Sequence, residues 1–558
     1  MNNLISKEIE PLTSSPEVLL VLPPLYQTGR EPDYNPKEPM GLMYLAANLR
    51  KYGRRVEIFD ADIEAKTIEE TIRRILEKNP PIVGFSVLQR ALPSLELIVN
   101  GLRERDYQGH ITCGGITATL SFPYILERLG DKINSVVLGE GENIIVNLAE
   151  RILTGQEWRE VKGIAFRQGP DQIINKPMDT VDLDALPFAA RDYLSYCLGK
   201  TNYATIMGSR GCYGICTFCS NYSFESIRKG SRWRARNPLA VVEEMEELYQ
   251  KYGVTVFKFN DPNIFGPGKE GREHVLSFCR EIAKRKLPFH LMGFCRGNDI
   301  TADESVVSLL KAAGFERLLI GVESSDDAIL RKFRKGETIA EMEQALDILA
   351  REGISVVVGF MIFNPYTTLE TLEKDLAFLK RRGLTPILSK ALRVFDGTPI
   401  QKLLEAEGRL IKRNPFEGYH DYVMPKEIAA IYASMKSLFT HCLDRIRAVG
   451  QGKIWDIKKA PSFRDRQDFN SLSEAFFDVE SFLLEKLIKW TRTGDFSLDD
   501  VRKAIKQIYD MLDGIGKAIS VDVNTVVSSQ EEVAKEIFSL MKERPWNTFR
   551  EEYRWNED

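Results

Sequence analysis

The sequence lacks several features that would indicate particular protein classes. It has no run of 18 apolar residues, so no membrane-spanning helix is expected, and residues 1–8 lack the apolar core of a signal peptide. With 76 basic and 80 acidic residues, the formal net charge is −4, so nothing indicates bulk attraction to nucleic acid. No G-x-G-x-x-G follows the first predicted strand, which disfavours a nicotinamide dinucleotide. We therefore expect a cytoplasmic protein without membrane or nucleic-acid partners.

Cysteine is scarce, and its distribution excludes a disulfide framework. Three of the eight cysteines are clustered, which indicates a reducing compartment. The other five are expected to be small buried residues; they are Cys113, Cys197, Cys279, Cys295 and Cys442.

The clustered cysteines form the main motif of the chain. Cys212, Cys216 and Cys219 make a C-x3-C-x2-C array just after the apolar run 203–207. Three thiolates on one loop can ligate three irons of a [4Fe–4S] cluster and leave the fourth iron open to a small molecule. The alternatives are a structural zinc site or three packed thiols. Zinc normally takes four Cys or His ligands, and no second C-x2-C pair exists here.

With Phe218 before the third cysteine, the array resembles the signature of radical S-adenosylmethionine (SAM) enzymes. The resemblance implies that SAM binds the open iron. It also implies that SAM is cleaved reductively to a 5′-deoxyadenosyl radical, with an electron from an external donor such as flavodoxin or ferredoxin.

Strand and helix patterns alternate through the first third of the chain. Apolar runs at 17–22, 55–59, 82–87, 110–113 and 135–138 are separated by amphipathic segments. This order predicts a Rossmann-like α/β domain over residues 16–155, with an open parallel sheet that binds ligands at the carboxyl ends of its strands.

The region resembles the cobalamin-binding domain that precedes the radical SAM domain in one large subclass. Ser86-Val-Leu88 and Gly114-Gly115 match its S-x-L and G-G pattern, and residues 139–142 match its G-E-G-E segment. The resemblance implies a cobalamin site, with the glutamates as possible acceptors from ribose or amide groups. Its residues would be Ser86, Leu88, Gln89, Gly114, Gly115, Thr117, Gly139, Glu140, Gly141 and Glu142. The alternative is a Rossmann-like interaction module without a cofactor.

One departure concerns the lower face of cobalamin. Many relatives carry D-x-H-x-x-G after the first strand, where the histidine ligates cobalt, but residues 24–33 contain no histidine. We therefore expect base-off cobalamin without a histidine lower ligand. The loop 88–90 would then approach the lower face of cobalt.

After a linker at 156–200, alternation resumes over residues 201–415. About six strand–helix units are predicted, which matches the partial (β/α)6 barrel of radical SAM enzymes. Polar residues follow the predicted strands, where barrel active sites lie. By resemblance, the SAM-binding residues are Asn260, Asp261, Arg296, Glu323 and Ser324.

Residues 416–558 have long amphipathic patterns and are expected to form a helical cap, either in contact with substrate or only packed on the barrel. The basic stretch 453–459 is expected to be a solvated face.

The resemblance implies C-methylation of an unactivated carbon of a peptide or other natural product, in which methylcobalamin delivers the methyl group to a substrate radical. The same cofactors would also serve a non-methylating rearrangement, ring closure or cyclisation. A rival class is a cofactor-binding regulator without turnover, against which the cysteine triad, Arg296 and Glu323 argue. No residue is assigned as catalytic from the sequence.

Overall fold

The computed structural model describes residues 15–25, 37–175, 180–228, 230–446, 467–543 and 548–549 of the chain. Within these ranges no helix is both long and apolar enough to cross a membrane. Part of the loop that follows the first strand and the basic stretch 453–459 lie outside the described residues, so their predictions stay untested.

An open parallel sheet forms the first domain, as predicted. The five parallel strands have the order β2-β1-β3-β4-β5, and the helices cover two separate apolar cores on the two faces of the sheet. The strands are β1 Val18–Leu22, β2 Val56–Asp60, β3 Ile82–Ser86, β4 His110–Gly114 and β5 Ser135–Val137. The helices are α1 Met40–Lys51, α2 Ile68–Lys78, α3 Leu92–Glu104, α4 Ile116–Leu129 and α5 Glu142–Leu153.

The apolar runs at 161–166 and 172–174 predict a small hairpin in the linker, and this hairpin extends the sheet. Strands β6 Ile164–Gln168 and β7 Asp171–Ile174 pair antiparallel, and β6 also pairs with β5. The N-terminal sheet therefore has seven strands and continues past residue 155, where the sequence pattern ended the domain. Helix α6 Leu194–Lys200 completes the connection to the next domain.

The second domain is a partial barrel whose parallel sheet has the order β14-β13-β12-β11-β8. Its strands are β8 Tyr203–Ile206, β11 Val256–Phe259, β12 His290–Cys295, β13 Phe315–Glu323 and β14 Ser355–Phe360, and a small ribbon pairs β9 Ser209–Gly211 with β10 Trp233–Ala235. The helices are α7 Ser220–Glu225, α8 Pro238–Tyr252, α9 Gly268–Arg285, α10 Gly297–Thr301, α11 Ser305–Ala312, α12 Asp327–Lys332, α13 Ile339–Arg351, α14 Leu369–Arg382 and α15 Pro399–Ala406.

The sequence pattern predicts a sixth barrel strand at 386–390, but this strand does not form. Only an isolated parallel bridge joins Phe363 to Ala391. The N–H groups of Leu388 and Ser389 donate to the buried carboxylate of Glu480 at 3.1 and 3.0 Å. Because these donors bond a side chain from the C-terminal region, they are not available to a sheet ladder.

The C-terminal region is mainly helical, as expected, and its core is continuous with that of the barrel. It also contains a three-stranded antiparallel sheet that the sequence pattern did not indicate, formed by β15 Leu410–Ile411, β16 Asp421–Val423 and β17 Thr548–Phe549. The helices are α16 Lys426–Leu438, which continues into a π-helical turn at Phe439–Leu443, α17 Gln467–Thr493, α18 Leu498–Ile519 and α19 Gln530–Glu543. The sequence at 497–500 predicts a helix start, and a capping box between Ser497 and Asp500 confirms it.

Candidate active site

The three clustered cysteines lie on a loop at the carboxyl end of β8, between the ribbon strand β9 and helix α7. None of the three forms a disulfide. Gly211 has φ +80°, and a Cβ atom there would lie 1.8 Å from the carbonyl oxygen of Arg232. A Cβ atom at Gly214 would lie 2.6 Å from the Arg296 guanidinium. Close approach of the backbone therefore requires glycine at Gly211, whereas a side chain at Gly214 would displace the Arg296 guanidinium.

Hydrogen-bond donors and a cation beside the thiols favour negatively charged sulfur, whereas burial opposes the charge. The N–H of Gly214 donates to Cys212 Sγ at 3.3 Å, and Arg296 Nη1 lies 3.6 Å from Cys216 Sγ. Burial raises the pKa of the Cys219 thiol to about 11, and the N–H groups of Tyr222 and Asn221 act in the opposite direction. Hydrogen bonds and a cation directed at cysteine sulfur are what tune iron–sulfur sites.

The arrangement fits a cubane cluster better than a single zinc ion. Among the described residues, no three His, Cys, Asp or Glu side chains converge on one ion position. A tetrahedral zinc site needs such convergence, whereas each ligand of a cubane binds a different iron. The remaining five cysteines are all buried in apolar cores, as predicted.

Arg296 follows β12 and belongs to a buried charged group beside this loop. Its Nη2 atom lies 3.0 Å from Glu337, whose carboxylate is also 2.9 Å from Lys335 Nζ. The guanidinium carbon lies 5.4 Å from the centre of the Tyr213 ring. Lys335 and Glu337 were not identified from the sequence, because a basic segment after a helix carries no signal that its side chains turn inward.

Glu323 occupies a strained position at the end of β13. Its φ of +70° is unusual for a non-glycine residue, and the register with β14 shifts there. Burial raises the pKa of its carboxyl group to about 7, with Lys335 opposing the rise. Strained residues of this kind concentrate at functional sites.

The side chain of the neighbouring Ser324 forms hydrogen bonds within the turn after β13 and to Asp375. Its side chain is fully buried, its hydroxyl donates to Asp375 at 3.3 Å, and it accepts from the N–H of Asp326. Ser325 also donates to Asp375, through its N–H and its hydroxyl, both at 2.7 Å. We therefore propose that Ser324 supports the turn after Glu323 rather than touching SAM.

The two residues predicted to bind SAM after β11, Asn260 and Asp261, also have different surroundings. Asn260 is exposed and lines a cavity, whereas Asp261 is buried. Asp261 accepts from the N–H of Gly208 at 2.9 Å and from the hydroxyl of Ser209 at 2.7 Å. Both oxygens of Asp261 therefore hold the start of the cluster loop, and we propose that it positions the loop instead of binding the SAM amine.

A cavity of about 310 Å³ lies between the carboxyl edge of the N-terminal sheet and the cluster domain. The predicted residues Ser86, Gly114, Gly115, Gly139, Glu140, Gly141 and Glu142 all line it. Arg210 and Asn221 line it from the other domain. Gly115 has φ +100° at the start of α4, so a side chain there would be strained.

Glu140 and Glu142, at this edge of the sheet, form ion pairs that the sequence did not indicate. Glu140 Oε1 lies 3.0 Å from Arg210 and 2.6 Å from Arg234, and its Oε2 accepts from the N–H of Val181. Glu142 Oε1 pairs with Arg210 at 2.5 Å. Glu140 thus has little capacity left for a ribose or amide, and it joins the two domains instead.

A second cavity, of about 360 Å³, contains the other predicted residues Leu88, Gln89 and Thr117. Ser220, directly after Cys219, lines the same cavity, and Ile116 lines both cavities. The amide of Gln89 donates to the carbonyl groups of Pro415 and Gly418 at 2.7 and 3.2 Å, so it anchors the loop to the segment after the barrel.

These two cavities fit a large cofactor with apolar faces and polar edges. Leu88 and Ile116 are 50% and 38% exposed, although both line the second cavity. Within the described part of the chain, the buried atoms Glu142 Oε2 and Asn221 Nδ2 of the first cavity have no hydrogen-bond partner. Such atoms normally have a partner, so the site suits a ligand with its own donors and acceptors.

The comparisons with known proteins agree with this geometry. Residues 34–149 match the B12 binding domain family, and residues 206–379 match the Radical SAM superfamily. The anaerobic magnesium-protoporphyrin IX monomethyl ester cyclase of Synechocystis sp. is 28% identical over 343 residues, which are 60% of this chain and 67% of that protein. An uncharacterized methyltransferase of Pyrococcus horikoshii is 25% identical over 403 residues, 71% of this chain and 85% of that one.

The fold is also that of a solved enzyme. The cobalamin-dependent SAM radical enzyme OxsB, solved with aqua-cobalamin bound, has a TM-score of 0.71 at 18% identity, with 94% of this chain and 84% of that chain covered. The protein belongs to the cobalamin-dependent radical SAM enzymes. Its cofactors are a [4Fe–4S] cluster, SAM and cobalamin.

Proposed function

We propose that the protein methylates an unactivated carbon of a peptide or other natural-product substrate. The observation that carries the proposal is the second cavity, which is lined by the loop after β3 on one side and by Ser220, next to Cys219, on the other. Cobalamin held there would face the cluster loop and the mouth of the barrel. We place the reaction in the cytoplasm, since the buried thiols suit a reducing compartment.

The cofactors supply the difficult chemistry: reductive cleavage of SAM for hydrogen-atom removal, and cobalamin for methyl transfer. The chain's part is to position and shield them. Cys212, Cys216 and Cys219 would hold the cluster, while the Arg296 guanidinium would take the SAM carboxylate, for which its planar fork is suited. Glu323, at the strained end of β13, would accept from the SAM amine or ribose.

The lower face of cobalamin would have no imidazole ligand. The chain contains five histidines, namely His110, His274, His290, His420 and His441, and none of them lines either cavity. Leu88, half exposed at the second cavity, is suited to cover the lower face with an apolar side chain.

A substrate would enter the barrel interior. In the strand register, Lys258 lies beside Met292. Two residues further along β12, Phe294 lies beside Leu319, which in turn lies beside Val357. These inward side chains are only partly buried, unlike the fully buried outward residues Leu318 and Ile320. The interior is therefore open and mostly apolar, which suits a small molecule or an extended peptide.

The relatives also favour one rival reaction. They include a cyclase as well as a protein described as a methyltransferase. A ring-forming or rearrangement reaction on the same cofactors is therefore the second candidate.

An assay with isotopically labelled SAM distinguishes methylation from the ring-forming or rearrangement reaction. Anaerobically reconstituted enzyme is incubated with SAM that carries a deuterated methyl group and with a strong chemical reductant. Methylation predicts S-adenosylhomocysteine together with 5′-deoxyadenosine, and label in the cobalamin fraction. Formation of 5′-deoxyadenosine without S-adenosylhomocysteine or transferred label would contradict methylation and favour the ring-forming alternative.

A further inference from the structure

The segment 331–337, which ends α12 and continues beyond it, lies directly on the cluster loop. The N–H of Thr217 donates to the carbonyl oxygen of Phe333 at 2.8 Å, and Arg296 donates to the carbonyl oxygen of Lys335. The ring of Phe333 lies 5.2 Å from that of Phe218, the residue before Cys219. One layer of chain therefore separates this part of the cluster loop from solvent.

The two faces of the segment differ sharply in character. Phe333, Lys335 and Glu337 are 0%, 5% and 6% exposed and face the cluster loop and its charged surroundings. Arg331, Lys332 and Arg334 are exposed, and we call these three residues the basic patch. Positive charge is thus concentrated on the solvent side of the chain layer that covers the cluster.

The charges of the basic patch are not neutralised locally. None of its three side chains forms an ion pair with a residue that the structure describes, and Lys332 Nζ lies 4.0 Å above the ring of Tyr366. The nearest acidic residues in sequence are engaged at helix starts. Asp326 caps α12 and pairs with Lys374, and Asp327 accepts from the N–H of Ile339. The patch therefore presents unpaired positive charge to a partner.

Aromatic side chains connect the patch to the cluster loop. The ring of Tyr366 lies 6.2 Å from that of Phe333, which packs on Phe218. Tyr366 and Lys332 also line a groove of about 660 Å³ that adjoins the patch. A protein seated there would bring its own redox group close to the cluster through continuously packed side chains.

We propose that the basic patch is the docking site of an acidic, low-potential electron-carrier protein of the flavodoxin or ferredoxin type. The proposal rests on the proposed function only in requiring SAM cleavage. One electron leaves the reduced carrier for each carbon–sulfur bond of SAM that is cleaved. The products are methionine and a 5′-deoxyadenosyl radical, which becomes 5′-deoxyadenosine when it takes one hydrogen atom from a carbon of the substrate and leaves a substrate radical.

Charge complementarity has a measurable signature. It raises the association rate of two proteins and makes that rate fall with ionic strength, because exposed charges are screened. A small reductant that reaches the cluster without docking is not subject to this requirement. A comparison of the rates with a protein donor and with a small reductant therefore distinguishes an effect on docking from an effect on any later step of SAM cleavage.

The main test uses the reconstituted holoenzyme and the triple variant Arg331→Glu, Lys332→Glu, Arg334→Glu. With limiting reduced flavodoxin, we expect the initial rate of 5′-deoxyadenosine formation to fall about ten-fold or more. With dithionite as donor, we expect the rate to stay within about two-fold of the unmodified enzyme, because these side chains are exposed and their described contact is that of Lys332 with the ring of Tyr366. A matched triple variant at exposed lysines of α17 and α18, Lys489→Glu, Lys503→Glu and Lys506→Glu, is expected to keep both rates.

Two results would overturn the proposal: an unchanged flavodoxin-supported rate in the triple variant, or an equal loss with dithionite. A measurement on the unmodified enzyme tests the proposal even if the variant misfolds. Zero-length carbodiimide coupling to flavodoxin should join a flavodoxin carboxylate to Lys332, as identified by mass spectrometry of the cross-linked peptides. Cross-links confined to lysines elsewhere on the enzyme would also overturn the proposal, whether or not the enzyme proves to be a methyltransferase.

Discussion

The guanidinium of Arg210 bridges Glu140 and Glu142 at 3.0 and 2.5 Å, so one side chain joins the loop after β5 to the strand that leads into the cluster loop. Arg210 is two residues before Cys212, and both glutamates line the first cavity. All three side chains are at most 16% exposed. The cavity of the first domain and the metal site of the second are thereby held in one arrangement.

Replacement of Arg210 by methionine should weaken both the fold and cobalamin binding. It leaves the buried carboxylate of Glu142 without its ion-pair partner and removes one of the two arginines from Glu140, which keeps Arg234. The loss of one partner of a buried ion pair typically costs about 3 kcal/mol or more. We expect a lower urea midpoint and an about ten-fold weaker affinity for hydroxocobalamin, measured by equilibrium dialysis. The control Arg54→Met removes the more exposed pair with Glu150 and should change either value little. Wild-type cobalamin affinity in Arg210→Met would show that this bridge does not organise the cavity.

Substitution of Cys216 by alanine should abolish SAM cleavage while cobalamin stays bound. Removal of one of three thiolates leaves the cluster with too few ligands, whereas the first cavity contains no atom of Cys216. Iron and cobalt analysis together with 5′-deoxyadenosine assay tests this on one sample. Cys279→Ala, at a buried thiol on α9, serves as the control and should keep its iron. Continued 5′-deoxyadenosine formation by Cys216→Ala would refute the cluster assignment.

Glu323→Gln should weaken SAM binding without loss of either metal. The change removes a negative charge at the end of β13 and retains the size of the side chain. We expect a dissociation constant for SAM about ten-fold higher, as for the loss of one charge-assisted hydrogen bond. Glu343→Gln on α13, whose carboxylate pairs with Arg381, is the matched control. Equal SAM affinity in the two variants would exclude Glu323 from the site.

The electron paramagnetic resonance spectrum of the cob(II)alamin form should show no nitrogen superhyperfine splitting. Imidazole coordination from the chain would need a histidine at a cavity, and none of the five histidines lines either one. A resolved nitrogen triplet would show that imidazole or benzimidazole does ligate cobalt, and the base-off prediction would be wrong.

Lys258 makes the stability of the protein depend on pH. Burial lowers the pKa of its ammonium group from 10.5 to about 8, and Lys37 acts in the same direction. The unfolded chain therefore binds more protons between these values, so Lys258 destabilises the fold fully below about pH 8 and progressively less as the pH rises to about 10.5.

The variant Lys258→Met should accordingly be more stable than the unmodified protein by about 1 to 3 kcal/mol near pH 7. The gain should shrink towards pH 10. Thermal melts of both proteins at the two pH values measure the difference. A gain that is equal at both pH values would show that the effect comes from packing and not from the ammonium charge.

Much of the fold follows from local sequence patterns. The five parallel strands of the first domain and the alternation of the barrel appear as apolar runs between amphipathic segments, and their order in the chain limits the topology. The prediction of a strand at 386–390 was wrong because Glu480, almost a hundred residues away, accepts hydrogen bonds from the N–H groups of Leu388 and Ser389. A local pattern contains no information about such a distant acceptor.

The sequence by itself indicated the cofactors of the protein but not its reaction. The local features are three cysteines on one short loop, the glycines at the ends of β4 and β5, and a loop at 24–33 without histidine. The resemblance of these features to the motifs of a known family implies the cofactors. Tertiary structure decided which of the predicted polar residues are bonded to other parts of the chain. Glu140, Asp261 and Ser324 are held by contacts with other parts of the chain, whereas Lys335 and Glu337 turn towards Arg296. The reason is physical: a buried polar group bonds whichever partner the fold brings near, and that partner is distant in sequence.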